Sequence, residues 1–138
     1  MDEIEQHAFK LLVKKDLFSS ELEKQLITAG FKLDEVQEYI ERLKVRGLIN
    51  DETLLERFIR WYFEKGDGPH LILMRLRQRT EFGHVVIEKE KQVAKIKELM
   101  HKRKKDTPKK MGAFLIRKGF DLELVRELLF REGENYES

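Results

Sequence analysis

The chain of 138 residues has no cysteine, two prolines and a single tryptophan. Without cysteine there is no disulfide framework, no thiolate metal site and no thiol nucleophile. No apolar run approaches the roughly 18 residues that would span a bilayer. The start, Met1-Asp2-Glu3-Ile4-Glu5, is acidic where a secretory leader would be basic, so a soluble, cytoplasmic protein is expected. Catalytic signatures are missing as well: no G-x-x-x-x-G-K-[ST], no G-x-G-x-x-G, no H-E-x-x-H and no G-x-S-x-G. His7, His70, His84 and His101 lack ligand spacing, and His84 with Glu88 at i, i+4 supplies two ligands at most. The reading is of a protein that is not an enzyme and holds no metal or cofactor.

What is present is charge, unevenly placed. The net charge is only +2, yet residues 1–56 carry 8 basic and 13 acidic groups, residues 57–120 carry 18 and 7, and residues 121–138 carry 2 and 6. A basic block therefore lies between acidic ends. Such a block suits phosphates or an acidic protein surface, or is simply a solvated helical face.

The composition favours helix: Glu, Lys, Leu and Arg are abundant and no segment alternates apolar and polar residues for long. Ile4, Ala8, Leu11, Leu12 and Lys15 space a first helix. Leu22, Leu26 and Ala29 space a second, ended by Gly30, and Val36, Ile40 and Leu43 a third, ended near Gly47. Internal repetition follows. Gly30, Phe31, Leu33 and Val36 recur 89 residues later as Gly119, Phe120, Leu122 and Val125, with Leu26 over Leu115 and Ile40 over Leu129. A weaker copy at an offset of 50 sets Leu22 over Ile72, Leu26 over Leu76, Val36 over Val86 and Leu12 over Tyr62, with Thr80-Glu81 in place of Gly-Phe. At these offsets Pro69 and Pro108 both fall on Ser19, the start of a second helix, where a fixed φ and a missing N–H cost nothing. Gly68 and Thr107 are the expected N-caps. In the first copy Ser19 or Ser20 takes that role, the latter in a capping box with Glu23. The expectation is an all-α fold of three tandem three-helix repeats, at 1–49, 50–93 and 94–138, with Asn50-Asp51-Glu52 as the turn into a long helix bearing Phe58, Trp61 and Tyr62.

Two segments invite a functional reading. Gly66-Asp67-Gly68-Pro69 is either a phosphate cradle at a helix N-terminus or, better, a hinge with an N-cap. Arg75, Arg77 and Arg79 fall on one helix, with 75 and 79 on one face and their repulsion uncompensated, which suggests an anionic partner. Arg57, Arg60 and the loop of Lys102, Arg103, Lys104, Lys105, Lys109 and Lys110 extend the candidate basic surface. A solvated face is the alternative.

These motifs together resemble the RecX family of bacterial regulatory proteins. The resemblance is carried by Leu11-Leu12-x-x-Lys15-Asp16, Glu21-Leu22, Gly30-Phe31, Gly47-Leu48-Ile49-Asn50-Asp51-Glu52, Phe58, Gly66-x-Gly68-Pro69, Ile72, Leu76 and Arg117-Lys118-Gly119-Phe120, and so covers nearly the whole chain. Two departures stand out: Phe18 occupies a position where the family commonly has Ser, and Arg79-Thr80-Glu81 replaces K-G-I. The glutamate-rich tail after Arg131 has no match in the pattern. The resemblance implies an elongated, curved stack of repeats, of right-handed type, and a monomer. It implies a regulator of DNA recombination, repair and the SOS response that binds the RecA filament on single-stranded DNA and inhibits its recombinase, ATPase and coprotease activities. Direct DNA binding through the basic centre is the second reading.

Overall fold

A computed structural model of the chain describes residues 2–130. Among them are eight helices and no strand: α1 (Glu3–Lys14), α2 (Ser19–Thr28), α3 (Leu33–Val45), α4 (Asp51–Glu64), α5 (Pro69–Arg77), α6 (Lys89–Lys102), α7 (Pro108–Arg117) and α8 (Leu122–Leu129). The fold is all-α. No helix among the described residues is long and apolar enough to cross a membrane. Each helix is too short to persist alone in water, so its apolar face must be buried on a neighbour.

Two compact units do this. The first comprises the chain through Phe58 together with Arg79–Glu81; the second comprises Ile59–Gln78 and everything described from Phe82 on. In unit 1, α2 packs on α1 and α3 around Ile4, Ala8, Leu22, Leu26, Val36, Ile40 and Leu43. In unit 2, α8 packs on α7 and α6 around Ile96, Leu99, Met111, Leu115, Phe120, Leu124 and Val125. Leu22, Leu26, Ile72, Leu76, Ile96 and Leu115 are wholly inaccessible, each worth about 2 kcal/mol of transfer free energy.

Helix ends follow local chemistry closely. Asp2 accepts the Glu5 N–H at 3.0 Å, Asn50 that of Thr53 at 3.1 Å and Thr107 that of Lys110 at 3.2 Å. Both prolines open their helices, behind Gly68 and Thr107, as the spacing predicts. Four helices close in one way: the N–H groups of Phe31, Leu48, Asp67 and Phe120 reach back to the carbonyls of Leu26, Leu43, Tyr62 and Leu115 across Gly30, Gly47, Gly66 and Gly119, all at positive φ.

α2 begins differently from the expectation. Neither Ser19 nor Ser20 is the cap; Phe18 is, and it has no side-chain acceptor to offer. Glu21 accepts the Phe18 N–H at 2.9 Å, while Asp51, from the start of α4, accepts the Ser19 N–H at 2.8 Å and the Ser19 hydroxyl. A residue 32 positions away thus supplies the missing acceptor.

The equivalence at an offset of 89 extends to exposure: Ile27 and Ile116 are both part-exposed, as are Leu33 and Leu122. The equivalence at 50 stops after Leu76, since Val36 is buried and Val86 is 83% exposed. Residues 79–88, where a third helix of the middle repeat would stand, are not helical. Gly83 at φ +98° and the β-branched run Val85-Val86-Ile87 explain this. His84 and Glu88 therefore share no helix face.

Candidate functional site

In unit 1 the polar residues converge on Glu21. Its carboxylate accepts from Nε and Nη2 of Arg79 at 3.1 and 2.9 Å, and Arg79 Nη2 also donates to the Asp16 carbonyl. The guanidinium lies 5.1 Å from the centre of the Phe18 ring and 5.7 Å from that of Phe58, both buried. A forked, stacked arginine of this kind is held by carboxylate and aromatics together. Ser20 and the buried Thr80 join hydroxyls at 3.1 Å, and Arg57 reaches Asp16 at 3.5 Å.

The centre of unit 2 is Asp67, whose side chain is 4% exposed. One carboxylate oxygen accepts from Arg75 Nε and the other from Lys118 Nζ, each at 2.8 Å. Arg75 also lies over the Tyr62 ring. Around this pair two backbones touch: Gly68 N–H donates to the Lys118 carbonyl at 2.6 Å and His70 N–H to the Gly119 carbonyl at 2.9 Å. A Cβ on Gly68 would lie 2.6 Å from the Phe120 nitrogen, and one on Gly119 would lie 2.6 Å from the Leu71 Cβ. The first donors of α5 are thus occupied by protein carbonyls, which closes the phosphate-cradle reading of 66–69 in favour of the hinge and cap.

The basic residues separate into two kinds. Arg75 and Arg79 do not share a helix face: α5 ends at Arg77, the two lie in different units, and each has its own carboxylate. Their repulsion is therefore not the uncompensated one that an unbroken helix would give. Arg77 donates to the Gly83 carbonyl. Arg103 binds Asp106 at 2.9 Å and lies 3.9 Å from the Phe114 ring centre, and Lys102 pairs with Glu98. Hydrogen bonds from Lys95 and Lys102 pull the Glu98 carboxyl below its usual range. Arg60, Lys104, Lys105, Lys109 and Lys110 are exposed, and their side chains have no partner among the described residues. Four of these five lie on the α6–α7 connection and the first turn of α7.

Three other features complete the inventory. Trp61, expected with the core aromatics, is 53% exposed, with Lys65 Nζ 3.5 Å from its ring centre. A shallow groove of unit 1, about 310 Å³, runs between α1 and α3 past Phe9, Leu12, Arg42 and Arg46. Beside it, burial and then the charges of Glu5 and Asp2 push the Tyr39 hydroxyl above its ordinary range, against Arg42 and Arg46.

The chain is 25% identical over 129 residues to the regulatory protein RecX of Haemophilus ducreyi, spanning 86% of this chain and 85% of that one. It is 29% identical over 140 residues to the regulatory protein RecX of Chromohalobacter salexigens, spanning 93% and 91%. The same protein of Halorhodospira halophila is 32% identical over 81 residues, half of its length. No protein-family model matches. The crystal structure of RecX from Lactobacillus salivarius superposes with a TM-score of 0.75 over 92% of both chains, at 20% identity. These similarities in sequence and fold support a RecX family protein.

The RecX-like motifs now have physical roles. In Gly47-Leu48-Ile49-Asn50-Asp51-Glu52, Gly47 turns the chain, Ile49 enters the core, Asn50 caps α4 and Asp51 completes the start of α2. The Gly66-x-Gly68-Pro69 and Lys118-Gly119-Phe120 motifs are two sides of one crossing, with Asp67 and Lys118 bonded across it. Gly30 and Phe31 close α2 and cover the core of unit 1. At the two departures from the RecX pattern, Phe18 forms one wall of the Arg79 slot and Thr80 holds Ser20. Asp67, Lys118 and Glu21 were not singled out by sequence as a polar framework; the one signal was an acidic residue between two glycines in the segment read as a hinge with an N-cap.

Proposed function

We propose that the chain binds the RecA filament on single-stranded DNA and restrains its recombinase, ATPase and coprotease activities. The observation that carries this is similarity to regulatory proteins named RecX over nearly the full length of two relatives. The mechanism is population shift: a ligand that prefers one filament state displaces the equilibrium by its differential affinity alone.

The contact surface is narrower than the whole basic block. Arg75, Arg79 and Arg103 are engaged inside the protein, so the cations available to a partner are led by Lys104, Lys105, Lys109 and Lys110. Reversing all four to Glu is expected to weaken co-sedimentation with RecA–single-stranded DNA filaments at least tenfold, at about 1 kcal/mol or less per rim charge, while circular dichroism stays unchanged. Unaltered co-sedimentation would remove this loop from the interface.

The same lysines favour a second reading, direct binding of DNA without RecA. Four phosphate contacts to a single strand give a slope of log affinity against log salt of about −3. A slope near zero for the isolated protein would exclude this reading while leaving the first intact.

A further inference from the structure

The segment 82–88 is anomalous in a helical protein. From Phe82 to Glu88 exposure alternates strictly: Phe82, His84, Val86 and Glu88 are exposed, while Gly83, Val85 and Ile87 are half-buried. This is the two-residue period of an extended chain, not the 3.6-residue period of the flanking helices. Val86 is 83% exposed, and Val85-Val86-Ile87 has the composition of a strand. The Gly83 and Ile87 carbonyls take side-chain donors from Arg77 and Gln92, but the N–H groups of His84, Val85, Val86 and Ile87 have no partner among the described residues. An apolar extended segment with a row of unpaired backbone donors is a template for a further strand.

We propose that this segment pairs antiparallel with the same segment of a second copy of the chain, about a dyad at Val86. The register is dictated by charge. With Val86 opposite Val86 of the second copy, His84 faces Glu88 and Val85 faces Ile87, so an imidazole meets a carboxylate twice and no like charges meet. Moving the dyad to Val85 or Ile87 pairs His84 or Glu88 with an uncharged neighbour and loses both contacts. The Val86–Val86 and His84–Glu88 pairs then lie on the exposed side and the Val85–Ile87 pairs on the half-buried side, as the two faces of a two-stranded ribbon require. Sequence alone pointed to a monomer; this edge instead gives a weak dimer, because a two-stranded ribbon is of marginal stability by itself.

The test is sedimentation equilibrium of the full chain. The wild-type protein is expected to dimerise with a dissociation constant of roughly 0.1 mM. Val86→Asp and Val86→Lys each place two like charges on the dyad, and each is expected to weaken dimerisation by roughly tenfold. An equimolar mixture of the two is expected to associate again as a heterodimer. His84→Glu alone weakens the dimer, and His84→Glu with Glu88→Lys restores it. All three positions are exposed and non-helical, so circular dichroism should not change. A protein that stays monomeric to about 1 mM, a dimer indifferent to Val86→Asp, or Asp and Lys variants that fail to rescue each other would each overturn the proposal. None of these outcomes depends on RecA.

Discussion

Gly119→Ala is expected to destabilise unit 2 by about 4 kcal/mol, whereas Gly30→Ala, at the equivalent position 89 residues earlier, should cost only about 1–2 kcal/mol. Both glycines end a helix at positive φ, +95° and +106°, so the backbone penalty for a side chain is shared. Their surroundings differ. Nothing lies within 4 Å of a Cβ on Gly30, while one on Gly119 would overlap the backbone and Cβ of Leu71. Leu71 is in the first turn of α5, pinned by the His70 bond to the Gly119 carbonyl, so it cannot retreat without breaking the crossing. Urea unfolding of the two variants gives the difference, and amide exchange locates it. Protection lost in α5, α7 and α8 but kept in α1 to α3 is the expected pattern for Gly119→Ala. Equal costs for the two variants would show that conformation, not close approach, fixes glycine at 119.

Removing the Asp67 carboxylate is expected to have the next largest effect. Asp67→Ala strands two cations, but Arg75 and Lys118 are 41% and 28% exposed and can turn partly to water, which reduces the cost to about 3 kcal/mol. Lys118→Ala leaves Asp67 still bound to Arg75 and should cost about 1 kcal/mol. In the double variant one stranded cation is gone, so its cost should fall below the sum of the two by about 1 kcal/mol. A double-mutant cycle in urea measures this coupling. Strict additivity would mean that the two residues act independently despite their 2.8 Å contact.

These two sites also show where sequence reasoning stops. Most of the helices, the prolines at their starts and the glycines at their ends are set by interactions within about five residues and were legible from spacing; the start of α2 and the missing third helix of the middle repeat were not. The resemblance to RecX was legible as well, because the motifs that carry it are these same local devices. The Asp51 cap of Ser19, the Arg79 slot against Glu21 and the Asp67–Lys118 bond join residues 32, 58 and 51 positions apart. No periodicity reports such pairs. Arg75 and Arg79 were placed on one face because an i, i+4 spacing was extended beyond the true helix end at Arg77. Val86 was aligned with buried Val36 for a similar reason: a repeat offset carries residue type but not the helix that would bury it.

The compensated arginines sharpen the functional account. They turn part of the basic block into framework and leave Arg60 and the lysines of the α6–α7 connection and first turn of α7 among its outward-facing charges. The unpaired edge at 84–87 is a separate surface, and its self-association can be measured with no partner present.

The central claim is restraint of RecA, and the most direct measurement is the single-stranded-DNA-dependent ATPase of RecA titrated with this chain. The account predicts that hydrolysis falls progressively as the protein is added, and that reversal of Lys104, Lys105, Lys109 and Lys110 shifts the titration to at least tenfold higher concentration. A rate that stays unchanged at stoichiometric excess over RecA would contradict it.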